Sequence, residues 1–169
     1  ILTDMPVVPT GDPPKRGLSP ECESCRRCIQ ACPTGALLEG GILDPSRCLR
    51  ALGDPVPEAY RAQIGASLLG CDLCQRVCPR NANAEMAHPP EALTAALEIR
   101  TLLDGKSAGL KPLIGVNNAR KTRVLARAAL IAGNLGDPSL LPLLKRLLLN
   151  DSEAVREHAA WSISRLSAK

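Results

Sequence analysis

The chain has 169 residues, room for one or two small domains, and a net charge of +4. Aromatic content is 1%: one Trp, one Tyr and no Phe. The core must therefore be aliphatic and Ala-rich, which suits close-packed helices and argues against recognition of single strands by ring stacking. No apolar run reaches the ~20 residues of a membrane span. The candidate run 140–149 is too short and is broken by Pro142, Lys145 and Arg146.

Residues 1–21 read as a lead-in or linker, rich in Pro and Gly: Pro6, Pro9, Gly11, Pro13, Pro14, Gly17, Pro20. The chain opens at Ile1 without a Met, and we read it as a piece of a longer or processed protein. Residues 1–21 do not read as a signal peptide, so none is expected before the cysteines.

Residues 22–88 hold all eight cysteines. The first run is Cys22-x2-Cys25-x2-Cys28-x3-Cys32-Pro33. The second is Cys48, then Cys71-x2-Cys74-x3-Cys78-Pro79. A compact run of four cysteines closed by proline is the bacterial ferredoxin signature, in which the fourth cysteine serves the other cluster. That rule assigns Cys22, Cys25, Cys28 and Cys78 to one [4Fe-4S] cluster and Cys32, Cys48, Cys71 and Cys74 to a second. Three other readings compete, the third being free buried cysteines, which would not space themselves this way. Disulfides suit small secreted domains, and structural zinc suits two well-separated CxxC pairs. Neither explains a tight triplet followed by Cys-Pro. With no ligand position missing, the clusters would relay electrons rather than bind substrate, and no catalytic residue is expected in this chain. Thiolate-rich clusters need a reducing compartment, so the expected location is the cytoplasm.

The local pattern predicts an α+β ferredoxin-like domain. Cys28–Cys32 should lie on a short helix ended by Pro33, with Cys74–Cys78 as its counterpart. Residues 36–38 and 41–43 should form two short strands around Glu39 and Gly40. Asp44-Pro45-Ser46 should start a helix carrying Cys48, and residues 53–57 a loop. So small a region has little core of its own, and the clusters should supply much of its stability.

Residues 89–169, after His88-Pro89-Pro90, should form an all-α HEAT-like repeat domain. Four helices are expected: Glu91–Leu103, Ala119–Leu135, Pro138–Leu149 and Ser152–Ser167. Val124, Ala128, Ile131 and Leu135 recur at helical spacing, as do Val155, Ala159, Ile163 and Leu166. Asp137-Pro138 reads as a cap with proline at the first helical position. Two helical hairpins of about forty residues have HEAT-repeat size. Charge is uneven. Residues 1–88 carry nine Lys/Arg against ten Asp/Glu, and residues 89–169 carry twelve against seven. Arg120, Arg123 and Arg127 space as one helical row within an acid-free stretch, a candidate RNA-contact face or a solvated one. His158 reads as a helix-face residue and Trp161 as a core residue of the helix pair.

The cysteine pattern, then Gly70-Cys71-Asp72-Leu73-Cys74-Gln75-Arg76-Val77-Cys78-Pro79, Ala132-Gly133-Asn134 and Val155-Arg156-Glu157-His158-Ala159-Ala160-Trp161, resembles the C-terminal half of epoxyqueuosine reductases. The resemblance implies that the eight cysteines ligate two [4Fe-4S] clusters, which pass electrons to a cobalamin held by an N-terminal domain absent here. It further implies reduction of epoxyqueuosine to queuosine in tRNA, with the helical tail helping to hold the tRNA and a low-potential donor supplying electrons. Arg80 stands where the family tends to have Trp. Asn117, Asn118 and Ala126 stand where basic residues are expected. These departures leave a second reading: a diverged paralogue acting as a ferredoxin-type carrier whose helical tail docks a protein.

Overall fold

The computed structural model describes residues 20–84 and 88–168, so nearly all of the expected lead-in lies outside the described residues. Ten α-helices occur among them. Helices α1 (Pro20–Cys25), α2 (Arg27–Ala31), α3 (Glu58–Arg61) and α4 (Leu73–Arg76) belong to the cysteine-bearing region. Helices α5 (Glu91–Ala96), α6 (Ile99–Leu103), α7 (Lys111–Ile114), α8 (Lys121–Leu135), α9 (Leu141–Leu147) and α10 (Glu153–Ser167) follow.

The expected strands do not form. Among the described residues there is only an isolated antiparallel bridge between Leu37 and Leu43. Leu38 N–H donates to Ile42 O (2.8 Å) and Asp44 N–H to Ala36 O (2.8 Å). Gly40 and Gly41 turn the chain at φ 71° and 75°. The hairpin is present, but it is too short for a ladder, and the region is helix and loop rather than α+β.

Two helix expectations are also corrected. Cys48 lies in a turn. The Asp44 carboxylate accepts from Ser46 N–H (2.9 Å) and Ser46 hydroxyl (2.6 Å) as a cap would, but the chain then closes only short turns, Arg47 N–H bonding Asp44 O and Cys48 N–H bonding Pro45 O (both 3.3 Å). The segment 91–103 is two helices, because Glu98 caps a new one, accepting from Arg100 N–H (3.0 Å) and Thr101 N–H (2.6 Å). The expected Asp137 cap is present, its carboxylate accepting from Ser139 N–H (2.9 Å).

Helices α8 and α10 form the centre of the molecule, with α6 and α9 packed on them. One core gathers Leu102, Leu110, Val124, Ala128, Leu140, Leu144 and Val155. A second gathers Leu49, Val56 and Ile64 from the cysteine-bearing region with Leu130 and Ile131 of α8. Helix α8 is buried over ten consecutive residues, Val124 to Gly133, and so contributes to both.

The two long helices touch closely at Gly133. A Cβ there would lie 2.4 Å from Ser162 Oγ and 2.8 Å from Ser162 Cα. Ser162, fully buried, donates its hydroxyl to Ala129 O (2.7 Å) and cannot swing away without losing that bond. Gly133→Ala should therefore destabilise the fold by about 1–3 kcal/mol, despite alanine's better helix propensity. Chemical denaturation followed by circular dichroism measures this; equal or greater stability would show that the helices can part freely.

Candidate metal-cluster site

All eight cysteines are of intermediate burial, and no disulfide joins any of them. The structure sorts them into two spaces. Cys22, Cys25, Cys28 and Cys78 line a cavity of about 140 Å³. Cys32, Cys48, Cys71 and Cys74 line another of about 430 Å³. The triplets and their distant fourth members meet because α2 packs on α4, so each short helix delivers thiols to both spaces. Cys32 and Cys78 each follow the last turn of their helix in extended conformation, which turns them away from the cysteines beside them in sequence. Pro33 and Pro79 come next and demand no N–H partner.

Among the described residues, no three His, Cys, Asp or Glu are drawn together tightly enough for a single bare ion. The thiols surround spaces instead. The second space is largely apolar, walled by Ala36, Leu37, Leu43 and Leu49. The first is rimmed by Arg26, Arg27 and Arg80. Arg26, held at φ 52°, pairs with Glu39, and Arg80 pairs with Glu21.

The thiols differ electrostatically. Burial raises the Cys32 thiol, but the Thr34 hydroxyl and backbone N–H groups outweigh it and leave it below its ordinary value. One of these N–H donors is Ala36, 3.2 Å from Cys32 Sγ. Such bonds favour the thiolate, the form that ligates iron. Cys74 is pushed up by burial and by neighbouring Cys71.

The basic row expected on α8 is only partly present. Arg120 is exposed, with its guanidinium 3.3 Å from Asn117 Oδ1, and Arg123 is half-buried. With Lys121 they line a groove of about 480 Å³, closed by residues 51–54 and by Ser152 and Ala154 of the α10 start. Arg127 is not on that face. Its side chain is 2% exposed, its Nε lies 2.7 Å from Asp54 Oδ1, and its Nη2 donates to Leu52 O (2.9 Å). The Asp54 contact is an ion pair by distance without hydrogen-bond alignment, since Asp54 Oδ1 and Arg127 Nε and Nη1 have no hydrogen-bond partner. Burial pulls this guanidinium below its ordinary range, against the opposing pull of Asp54. The row fails because helix α8 is covered all round, so helical spacing alone could not say which side faced water.

His158 is also corrected, from helix face to interior. It is fully buried; Nε2 accepts from Val56 N–H (2.8 Å) and Nδ1 sits 2.9 Å from Ala126 O. Burial holds it below its ordinary value, in keeping with the neutral ring that both contacts require. His88 is exposed. Trp161 is half-buried against the second core, with Arg165 over its ring at 5.4 Å. Sequence reading missed Asp54, Arg61 and Asn134. Arg61 donates to Val56 O (2.8 Å) and pairs with Glu157 (2.8 Å), and Asn134 donates to Arg61 O (2.9 Å) and Gly65 O (3.1 Å).

Arg127→Ala should cost about 3–5 kcal/mol, because it strands the Asp54 charge indoors. Arg120→Ala should change stability by at most about 0.5 kcal/mol. Urea titrations of both variants measure the contrast; equal costs would contradict the inward placement.

Residues 21–81 match the 4Fe-4S double cluster binding domain family, and residues 110–169 match HEAT repeats. An uncharacterised protein in the gldA 3′ region of Geobacillus stearothermophilus is 36% identical over 179 residues, covering 98% of this chain and 80% of that protein. An epoxyqueuosine reductase of Bacillus anthracis is 33% identical over 177 residues, covering 98% of this chain and 45% of the enzyme. A crystal structure of epoxyqueuosine reductase with a tRNA-Tyr epoxyqueuosine-modified stem loop superposes with a TM-score of 0.70 at 32% identity, covering 86% of this chain and 42% of that one. The chain thus spans less than half the length of these reductases. It belongs to the same family as the Geobacillus protein and the epoxyqueuosine reductases, and what it holds of that family is the double-cluster domain and the HEAT repeats.

Proposed function

We propose that this chain is the electron-transfer and tRNA-docking portion of a reductase of the epoxyqueuosine reductase type, acting in queuosine modification of tRNA. The observation that carries the reading is the sorting of eight thiols into two four-thiol cavities. Cys22, Cys25, Cys28 and Cys78 would hold one [4Fe-4S] cluster; Cys32, Cys48, Cys71 and Cys74 would hold the other. The donor set fits: four thiolates per site, cavities rather than a single-ion point, and N–H and hydroxyl donors aimed at Cys32. When bound, such clusters supply one-electron storage and transfer at low potential. The chain's own residues fix the thiols, wall the second cavity with Leu37, Leu43 and Leu49, and surround the first with guanidinium groups that offset negative charge. The cobalamin that the resemblance implies would belong to sequence outside this chain, and no residue here is assigned to it. A low-potential donor would supply the electrons. The expected location is the cytoplasm. Among the described residues no helix is long and apolar enough to cross a membrane.

For tRNA, the groove bearing Arg120, Lys121 and Arg123 is the proposed phosphate contact; Arg127 drops out because it is buried against Asp54. The N-terminal end of the 15-residue helix α8 lies there and adds its own attraction for anions. Contacts of this kind position RNA without reading its sequence.

Anaerobic reconstitution should yield about eight iron and eight sulfide per chain, with broad absorption near about 400 nm. Cys78→Ser should damage the cluster of Cys22, Cys25 and Cys28, and Cys32→Ser that of Cys48, Cys71 and Cys74. Electron paramagnetic resonance of the reduced variants distinguishes the two. Zinc without sulfide, or damage confined to each cysteine's sequence neighbours, would overturn the assignment.

An Arg120→Ala/Lys121→Ala/Arg123→Ala variant of the full-length protein should bind tRNA more weakly. Its logarithmic salt slope should fall by about one unit per lost phosphate contact. Affinity measured from low to moderate salt tests this. Unchanged affinity and slope would favour the protein-docking carrier.

A further inference from the structure

The second thiol set is fastened to the helical repeats at several points. Cys48 is followed by Leu49, which is buried in the core shared with Leu130 and Ile131 of α8, and Cys71 packs against that same core. Cys48 O accepts from Leu52 N–H (3.0 Å), and Leu52 O accepts in turn from Arg127 (2.9 Å). Asp54 meets Arg127, and Val56 N–H is held by His158 (2.8 Å). A continuous series of bonds therefore runs from the Cys48 backbone to buried side chains of α8 and α10. The Cys71 segment is fastened to the same loop, because Arg50 reaches Leu69 O (3.4 Å) and a Cβ at Gly70 would lie 2.9 Å from the Arg50 side chain. By contrast, α1 and α2, which carry Cys22, Cys25 and Cys28, contain no buried residue.

We propose that His158 and the Asp54–Arg127 pair are positioning groups for the second thiol set, so that the helical repeats hold that cluster in place more directly than the first. This rests on the double-cluster reading above. It also accounts for the Val155–Trp161 stretch, in which Glu157 pairs with Arg61, His158 holds Val56, and Trp161 packs on the shared core. Glu157, His158 and Trp161 thus meet the cysteine-bearing region.

The test uses the cluster-loaded chain, challenged with a chelator and then alkylated with iodoacetamide, each cysteine being followed by mass spectrometry. In the wild type, Cys22, Cys25 and Cys28 should label before Cys48, Cys71 and Cys74. His158→Leu should speed labelling of Cys48, Cys71 and Cys74 on the order of tenfold and leave the first set at its wild-type rate, because a lost buried bond opens structure locally. Asp54→Asn serves the same purpose if His158→Leu does not fold, and His158→Gln, which keeps an acceptor for Val56 N–H, should restore much of the protection. Ser162→Ala removes a buried bond between the same helices without touching the loop, and should leave the order of labelling unchanged. Equal acceleration of both sets, the same selective effect from Ser162→Ala, or no effect of the latch variants would overturn the proposal. Iron and sulfide counts decide the cluster reading separately. If none is loaded, the same labelling of the metal-free thiols judges the latch.

Discussion

Helix α8 has no exposed side over ten residues, and the rest of the structure is arranged to cover it. One flank belongs to the core of the helical repeats; Leu130 and Ile131 belong to the core shared with the cysteine-bearing region. A helix buried this completely must resolve every polar atom it carries. Arg127 does so in part, through the ion pair with Asp54 and the carbonyls of Leu52 and Gly53, and Asn134 through the carbonyls of Arg61 and Gly65. The loop between Cys48 and Cys71 thus supplies acceptors that α8 needs, and α8 supplies the apolar wall that the loop lacks. The close contact at Gly133 brings α10 near enough to join this exchange through His158.

This exchange explains how a region with little core of its own can present eight thiols. Leu49, Val56 and Ile64 are too few to close a core alone. Borrowing Leu130 and Ile131 completes it. The matches to the double-cluster family and to HEAT repeats meet the chain at separate residues, but the physical boundary between the two regions is filled with apolar contacts, buried charge and hydrogen bonds. Unfolding of either should be felt by the other, which makes the pair closer to one cooperative unit than to two domains on a tether.

The grouping of the cysteines around two cavities was legible in the sequence, because the expected ligand pattern is a short-range spacing of one residue type. The four-thiol groupings needed only the exchange of Cys32 and Cys78. Long helices were legible for a similar reason: Val124, Ala128 and Ile131, or Val155, Ala159 and Ile163, repeat at a fixed period. What escaped was whatever depends on partners far along the chain. Asp54 and Arg127 are 73 positions apart, and Val56 and His158 are 102 apart; no local pattern couples them. The Arg120, Arg123 and Arg127 row was misjudged because periodicity reports a face and not what covers it. The strands and the Cys48 helix failed at a finer level, where Gly40 and Gly41 turn the chain and only short turns follow Asp44.

The two ends of the cysteine-bearing region are tied down by different kinds of charge contact. At the first cavity the ties are the exposed pairs Arg80–Glu21 and Arg26–Glu39. At the second they are Asp54–Arg127 and the largely buried Arg61 against Glu157. Ionic strength reaches the former and largely spares the latter, since exposed pairs are screened within a Debye length and desolvated ones are not. The salt content of the surroundings therefore acts on this molecule unevenly, loosening the rim of one cavity while the other keeps its walls.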